Sequence, residues 1–370
     1  MDNIGNAEPL LLKKANRFFR QNRPILPNSE ICEVFHSNNL LEIGFLSKQC
    51  RNDVAGSCIM CDYGRAIDTK SPYAYIEQMN YILSQYRGTY THLLFCTNGS
   101  FFDDNQIGTD LRKAILEEAS LYSFPQLEIE THYRDITEEK LALLSEIFPK
   151  KKITIELGLE TINQELHDLV IMKDIILDDI EKTIKQIHQH NFSVDLNIML
   201  GMPFLSISDQ FLDTISTIKW ALQHNCNVVL FPINIKPFTL LYHMYENGFY
   251  QPISQWLLIA LLCSLPVEQL SRITIAWYGN REQKYDHLAQ HAIFPSTCSK
   301  CQKSFMPFYK IFNSLESSEA RKTLLNQLLM KRECNCLERV NESIIQSDQN
   351  DLYDNYRKYN QYLSNFIDEV

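Results

Sequence analysis

No apolar run in the sequence is long enough to cross a bilayer. The longest, from Trp256 to Leu265, has about half of the roughly 20 residues that a spanning helix needs. The N-terminal residues also lack the apolar core of a signal peptide. These two absences predict a cytoplasmic protein that has no membrane partner.

Positive charge is also scarce. The chain has 35 Lys and Arg residues against 45 Asp and Glu residues, which gives a formal net charge of −10. This balance disfavours non-specific attraction to nucleic acid or to anionic lipid. A contact with nucleic acid would rest on the basic side chains of a predicted N-terminal amphipathic helix, at Lys13, Lys14, Arg17, Arg20 and Arg23.

The sequence contains no low-complexity linker and no internal repeat of about 20 to 50 residues. A hydrophobic content of 45% and a charged content of 22% are ordinary for a soluble globular protein, so the composition argues against disorder. A length of 370 residues is sufficient for one large α/β domain and a smaller unit.

Short β-type runs alternate with helical patterns along most of the chain. The strands are predicted at 40–46, 91–96, 126–131, 152–157, 193–200 and 227–233, with a candidate seventh at 272–277. The helices between them are predicted at 74–86, 109–120, 137–147, 174–190 and 209–224. Right-handed crossovers would curl such a parallel sheet, so the predicted fold class is α/β, a partial (β/α)6 TIM-type barrel.

The order of these segments predicts four regions. Residues 1–37 are an N-terminal helical extension, and residues 38–285 are the partial barrel. Residues 286–345 are a small cysteine-rich metal-binding unit, and residues 346–370 are a C-terminal helix.

Seven of the eleven cysteines fall into two tight groups. In a reducing compartment, grouped cysteines are more often metal ligands than disulfide partners. Cys50, Cys58 and Cys61 follow the first parallel strand, at the end that carries the chemistry in parallel barrels. Three thiolates can hold three irons of a [4Fe-4S] cluster and leave the fourth iron open. A zinc site or reactive thiols are the less favoured alternative, because structural zinc takes four protein ligands.

The second group consists of Cys298, Cys301, Cys334 and Cys336. Four thiolates are enough to close a tetrahedral zinc shell, which is the preferred prediction. An auxiliary iron-sulfur cluster uses the same ligands and is the alternative.

The first cysteine loop resembles the cluster loop of radical S-adenosylmethionine (SAM) enzymes, although most of that superfamily spaces it C-x3-C-x2-C. The longer first gap is similar to the branch that contains the archaeosine synthase beta subunit, through the pattern Cys50, Gly56, Cys58, Met60, Cys61 and Tyr63. The resemblance covers about residues 38–340 and continues through 96–104, 156–174, 200–206 and 233–258.

The resemblance implies an enzyme that cleaves SAM reductively to a 5′-deoxyadenosyl radical, which takes a hydrogen atom from a small-molecule, carrier-bound or peptide substrate in a biosynthetic pathway. It also implies an electron donor such as flavodoxin or ferredoxin. The alternative is a tRNA-modifying C–N lyase like the archaeosine branch. An alternative of another class is a non-catalytic zinc-bearing binding protein. No catalytic side chain is assigned.

The resemblance also implies which residues face the cofactors. These are Met60, Tyr63, Thr97, Asn98, Gly99, Ser100, Glu156, Glu160 and Asn197. Either glutamate has the alternative of a structural ion pair with Lys173 or Arg134. Two segments, 130–135 and 234–239, depart from the branch at strand ends, so His132, Asn234 and Lys236 are predicted to face the substrate.

Overall fold

One sheet of eight strands forms the centre of the described structure. The computed structural model describes residues 7–21, 23, 31–37, 39–62, 71–276, 292–332, 334–346 and 352–369. The strands are β1 (Cys32–Ser37), β2 (Leu40–Phe45), β3 (His92–Thr97), β4 (Gln126–Thr131), β5 (Lys152–Glu160), β6 (Ser193–Leu200), β7 (Asn227–Pro232) and β8 (Ile273–Ile275). They lie in chain order, and every neighbouring pair except β1 and β2 is parallel. The predicted α/β partial barrel is confirmed.

Helices connect the strands. They are α1 (Ala7–Arg20), α2 (Arg51–Val54), α3 (Pro72–Gln85), α4 (Thr109–Ser120), α5 (Glu138–Ile147), α6 (Gln164–Leu166), α7 (Leu177–Gln189), α8 (Ile207–Gln223), α9 (Leu240–Glu246), α10 (Gln255–Ser264), α11 (Ser299–Ser314), α12 (Ser318–Met330), α13 (Cys336–Ile345) and α14 (Leu352–Glu369). The five helices predicted between the strands correspond to α3, α4, α5, α7 and α8. Thr137 caps α5, because its hydroxyl accepts a hydrogen bond from the Lys140 N–H.

Side chains alternate between the two faces of the sheet. On β5, Ile153, Ile155 and Leu157 are buried in the apolar core that the surrounding helices share. Glu156 and Gly158 point the other way and line an internal cavity. Residues from β1 to the end of β7 border this one cavity, so the sheet is curled around it. The polar side chains of the inner face are thereby brought together.

Strand β1 was missing from the sequence prediction, which gave residues 1–37 only helical structure. Its residues pair antiparallel with β2, from Cys32 opposite Phe45 to Ser37 opposite Leu40. The strand is determined by its pairing with β2 rather than by its own hydrophobic pattern. The local sequence therefore did not predict it. The predicted N-terminal helix is present as α1.

The C-terminal helices complete the molecule. Helix α10 contains the longest apolar run, and most of its side chains are buried. None of the described helices is long and apolar enough to cross a membrane. Helix α14 packs against α1, and its Tyr356 and Tyr359 are fully buried, as expected for a packed terminal helix.

Candidate active site and second cysteine cluster

A cavity of about 310 Å³ lies at the carboxyl ends of the parallel strands. Its wall includes the loop after β2, the turn after β3 and the ends of β4, β5 and β7. In parallel barrels this end is where loops bring functional side chains together. The predicted site residues therefore have a common space to face.

All three cysteines of the first group line this cavity. Cys50 precedes α2, and Cys58 adopts the left-handed conformation with φ 55°. The Cys58 N–H donates to the Ile171 carbonyl at 2.7 Å, and the Cys61 N–H donates to the Cys58 carbonyl at 2.9 Å. These bonds fix the backbone of the loop, so the sulfur atoms are held toward the cavity.

Burial determines the protonation of these thiols. It raises the pKa of Cys58 well above its usual value and that of Cys61 to about 12. Without a bound cation both groups would stay protonated at neutral pH. A bound metal centre would lower these pKa values and hold both groups as thiolates. Three cysteines are therefore a donor set that fits an iron-sulfur cluster.

The turn after β3 packs directly on the first cysteine. A Cβ atom at Gly99 would lie 2.8 Å from the Cys50 sulfur and 2.9 Å from the Gln106 amide nitrogen. Gln106 organises the turn, because its Oε1 accepts from the Thr97 hydroxyl at 2.9 Å and from the Ser100 N–H at 2.7 Å. Only glycine permits this close approach of backbone to sulfur.

Helix α1 holds the cysteine loop through Arg20, which also lines the cavity. The buried Arg20 guanidinium donates to the carbonyls of Ser57 at 2.9 Å, Cys58 at 2.7 Å and Cys61 at 2.9 Å. It also forms an ion pair with Asp53 at 3.0 Å. Arg23 approaches the same carboxylate at 2.6 Å. These arginines are engaged with the loop, so they do not form the outward basic patch considered from the sequence.

Helix α1 also packs closely against the backbone of the cysteine loop. A Cβ atom at Gly56, where φ is +80°, would lie 2.3 Å from the Lys13 carbonyl oxygen. The Asn16 amide donates to the Gly56 carbonyl at 3.0 Å, and its oxygen accepts from the Leu240 N–H at 3.1 Å. The side chain thus joins α1, the cysteine loop and α9.

Two buried ion pairs flank the cysteines. Lys236 contacts Asp62, the neighbour of Cys61, at 2.5 Å. Lys173 pairs with Glu160, the alternative that the sequence left open for this glutamate. Burial alone would lower the pKa of Lys173, but Glu160 and Cys58 raise it above the usual lysine value. Lys173 therefore stays protonated beside the thiols.

Polar atoms without a hydrogen-bond partner among the described residues lie at the cavity. They include His132 Nε2, Asn197 Oδ1 and Asn234 Oδ1, whose side chains are more than nine-tenths buried. Burial, with the nearby Lys173, lowers the pKa of His132 to about 3, so its ring is neutral. Buried polar atoms need partners, which indicates that the cavity takes a polar ligand.

Most of the predicted cofactor-facing and substrate-facing residues line the cavity. These are Met60, Thr97, Asn98, Gly99, His132, Glu156, Glu160, Asn197, Asn234 and Lys236. Ser100 is not among the lining residues. Its hydroxyl donates to Asp135 at 2.6 Å and shares a hydrogen bond with Thr131, a lining residue, at 2.8 Å. Tyr63 lies outside the described residues. Sequence reasoning missed the contact of Arg20 with the loop, because its partners lie more than 30 positions away.

The second cysteine group also comes together. The sulfur atoms of Cys298, Cys301, Cys334 and Cys336 all lie within 4.8 Å of one another. The Cys336 N–H donates to the Cys334 sulfur at 3.4 Å, and hydrogen bonding, first from the Cys301 backbone, lowers the pKa of Cys298 to about 6. Four convergent sulfurs fit one tetrahedral metal ion. None of the four lines the cavity described above.

Comparison with known proteins identifies the domain. Residues 46–218, which carry the first cysteine group and β3 to α8, match the family model of the radical SAM superfamily. These residues form a radical SAM domain. The three thiols, the Gly99 turn and Glu160 all lie within it.

The chain is similar to two curated archaeal proteins. It is 24% identical over 255 residues to an uncharacterized protein of Methanocaldococcus jannaschii, covering 65% of this chain and 69% of the relative. It is 26% identical over 228 residues to archaeosine synthase subunit beta of Methanosarcina acetivorans, covering 60% and 65%. The chain thus spans about two thirds of the length of these relatives. Among solved structures, archaeal Elp3 of Methanocaldococcus infernus matches with a TM-score of 0.49 and 13% identity, covering 81% of this chain and 66% of that one.

Proposed function

We propose that this radical SAM protein holds a [4Fe-4S] cluster on Cys50, Cys58 and Cys61 and uses it to cleave SAM. The observation that carries the proposal is the convergence of these three thiols on one cavity, with the Gly99 backbone packed against Cys50. When bound, the cluster and SAM supply an electron and a 5′-deoxyadenosyl radical that takes a hydrogen atom from the substrate.

The side chains of this chain bind and position the reactants. The turn at residues 97–99 presents its backbone next to Cys50, so we assign it to the methionine part of SAM. Met60, Glu156 and Asn197 line the same space and are assigned to the rest of the cofactor. Glu160 also lines it, but its ion pair with Lys173 favours the structural alternative. His132, Asn234 and Lys236 also line the cavity, in the two segments that depart from the branch, and we assign them to the substrate.

For the substrate, we favour a small-molecule, carrier-bound or peptide compound. Arg20 and Arg23 are engaged with the cysteine loop, and the net charge of −10 disfavours a large phosphate backbone. The similarity to archaeosine synthase subunit beta favours the second candidate, a C–N lyase that modifies tRNA. Salt-dependent binding of bulk tRNA in a gel-shift assay would support the second candidate, and its absence at low salt would support the first.

We infer that the second cysteine group holds structural zinc. Its four sulfurs leave no ligand position open, and none of the four cysteines lines the cavity. Metal analysis of protein purified in air tests this: one zinc per chain supports it, and additional iron and sulfide would indicate an auxiliary cluster. Bound zinc together with no cleavage of SAM would support the remaining alternative, a non-catalytic zinc-bearing binding protein.

The test of the proposed function is SAM cleavage after anaerobic reconstitution with iron and sulfide. With dithionite as reductant, 5′-deoxyadenosine is expected from the native protein and not from Cys58→Ala. Flavodoxin or ferredoxin, the proposed donors, should replace dithionite. Equal amounts of 5′-deoxyadenosine from the native protein and the variant would refute the proposal.

A further inference from the structure

Helix α1 presents a stripe of apolar and basic side chains to solvent. Leu10, Lys14, Arg17 and Phe18 lie on one side of the helix, because residues three and four apart are neighbours on a helix surface. All four are exposed, Leu10 by 62% and Phe18 by 38%. Leu12, on the opposite side, is fully buried. The buried side of α1 packs on the molecule, and the stripe is open to a partner.

The stripe continues onto the cysteine loop. The Arg17 guanidinium donates to the Ala55 carbonyl at 3.4 Å, and the Arg17 side chain packs beside Gly56. Ala55 is exposed, and its neighbour Val54 is 56% exposed. We call this combined surface the α1 face, and it consists of Leu10, Lys14, Arg17, Phe18, Val54 and Ala55.

The α1 face lies close to the cysteines of the first group. Val54 is one turn of α2 from Cys50, and its N–H donates to the Cys50 carbonyl at 3.1 Å. Ala55 precedes Cys58 by three residues. None of the residues of the α1 face lines the cavity. A macromolecule bound on this face would therefore approach the cysteines without filling the space assigned to SAM and the substrate.

The α1 face is positive although the chain is acidic. Residues 9–20 contain four Lys and Arg residues and no Asp or Glu. Asp53 is the one acid among residues 48–61, and it is 5% exposed and paired with Arg20 and Arg23. The net charge of the whole chain is −10. An acidic partner would thus be attracted to this face and repelled by the chain as a whole.

We propose that the α1 face docks the electron donor, a small acidic protein that carries a one-electron cofactor at its surface. The inference rests on the proposed function, because a cluster on Cys50, Cys58 and Cys61 has to receive one electron before SAM is cleaved. The reduced cofactor of the donor loses this electron and the cluster gains it. Electron-transfer complexes often bury less than about 1,200 Å², which is compatible with so small a face.

The first measurement is binding. Isotope-labelled oxidised flavodoxin of net negative charge is titrated with the reconstituted holoprotein, and its NMR shifts give the affinity. Lys14→Glu combined with Arg17→Glu should weaken binding by about tenfold or more at low salt. The difference should shrink in about 0.5 M salt, because exposed charges are then screened. Lys182→Glu combined with Lys185→Glu is the matched control, since these exposed lysines of α7 have the same spacing, and it should leave the affinity unchanged.

The second measurement is electron transfer on the same samples. Reduced flavodoxin is mixed anaerobically with the holoprotein, and loss of absorbance near 400 nm gives the rate of cluster reduction. The double variant of α1 should be reduced about tenfold more slowly than the native protein. Its cluster content, and the amount of 5′-deoxyadenosine that it forms with dithionite, should equal those of the native protein.

Equal affinities and reduction rates in the native protein and the α1 double variant would overturn the proposal, and so would equal losses in the two double variants. Binding of bulk tRNA that the α1 double variant loses, with flavodoxin binding unchanged, would assign the face to nucleic acid instead. A native protein whose cluster is reduced by flavodoxin through this face but that cleaves no SAM would refute the proposed function and leave this inference standing.

Discussion

The contact of Arg20 with the cysteine loop leads to a specific expectation for Arg20→Met. Methionine keeps the apolar stem but removes the donors to Ser57, Cys58 and Cys61 and the ion pair with Asp53. Removing one partner of a buried ion pair costs about 3–5 kcal/mol. Arg23 still forms an ion pair with Asp53 in the variant. We therefore expect a destabilisation at the lower end of this range, about 3 kcal/mol.

A change of about 3 kcal/mol shifts the equilibrium of the loop by roughly a hundredfold toward conformations that release the cysteines. We therefore expect Arg20→Met to lose most of its iron and sulfide after anaerobic reconstitution. Iron content, sulfide content and absorbance near 400 nm measure this. Circular dichroism and urea unfolding of the unloaded protein show whether the domain is still folded.

Arg17→Met is the matched control. Arg17 belongs to the same helix, is exposed and makes one bond of 3.4 Å to the Ala55 carbonyl. Its loss should change stability by less than about 0.5 kcal/mol and leave the cluster intact. Full cluster loading in Arg20→Met, or equal losses in the two variants, would refute the reasoning about α1.

Three further predictions follow from the contacts around the two metal sites and from one buried acid. Gly99→Ala should reduce cluster content because the new methyl group meets the Cys50 sulfur at 2.8 Å, whereas Gly108→Ala, with nothing within 4 Å, should load normally in the same iron assay. Cys334→Ser should lose the metal of the second cysteine group but keep the 400 nm band, as checked by metal analysis, and loss of both would contradict separate sites. Asp213→Asn should stabilise the protein against urea unfolding at pH 7.5 but not at pH 4. Burial raises the pKa of Asp213 to about 6, above its value in the unfolded chain. The native protein with Asp213 therefore loses about 2 kcal/mol of unfolding free energy as pH rises from about 4 to 6, and the Asn variant does not. An equal effect at both pH values would exclude this ionisation as the cause.

The parallel part of the fold was predictable because its signals are local. Ile180, Ile184 and Ile187 mark the buried face of α7 by spacing alone, and all three are buried. Ile176 continues the same spacing but precedes the helix and is 49% exposed, since the helix begins at Leu177. Strand β1 was not predicted because its pairing with β2 determines it.

The candidate site shows the same division between local and distant signals. The spacing of Cys50, Cys58 and Cys61 and their position after a strand predicted one group of ligands, and all three cysteines line one cavity. Their role as cluster ligands stays a prediction. The contact between Arg20 and the cysteine loop could not be predicted from the sequence, because it depends on how α1 packs against the loop. Ser100 was expected at the cofactor, but its hydroxyl is held by Asp135 and Thr131, which reach it from the next strand and the turn after it.

The most direct test is electron paramagnetic resonance of the reduced, reconstituted protein before and after SAM is added. A [4Fe-4S] cluster held by three cysteines should give a signal that shifts when SAM occupies the fourth iron, and Cys58→Ala should give no such signal. Stoichiometric zinc on Cys50, Cys58 and Cys61, or a cluster signal that does not respond to SAM, would contradict the account.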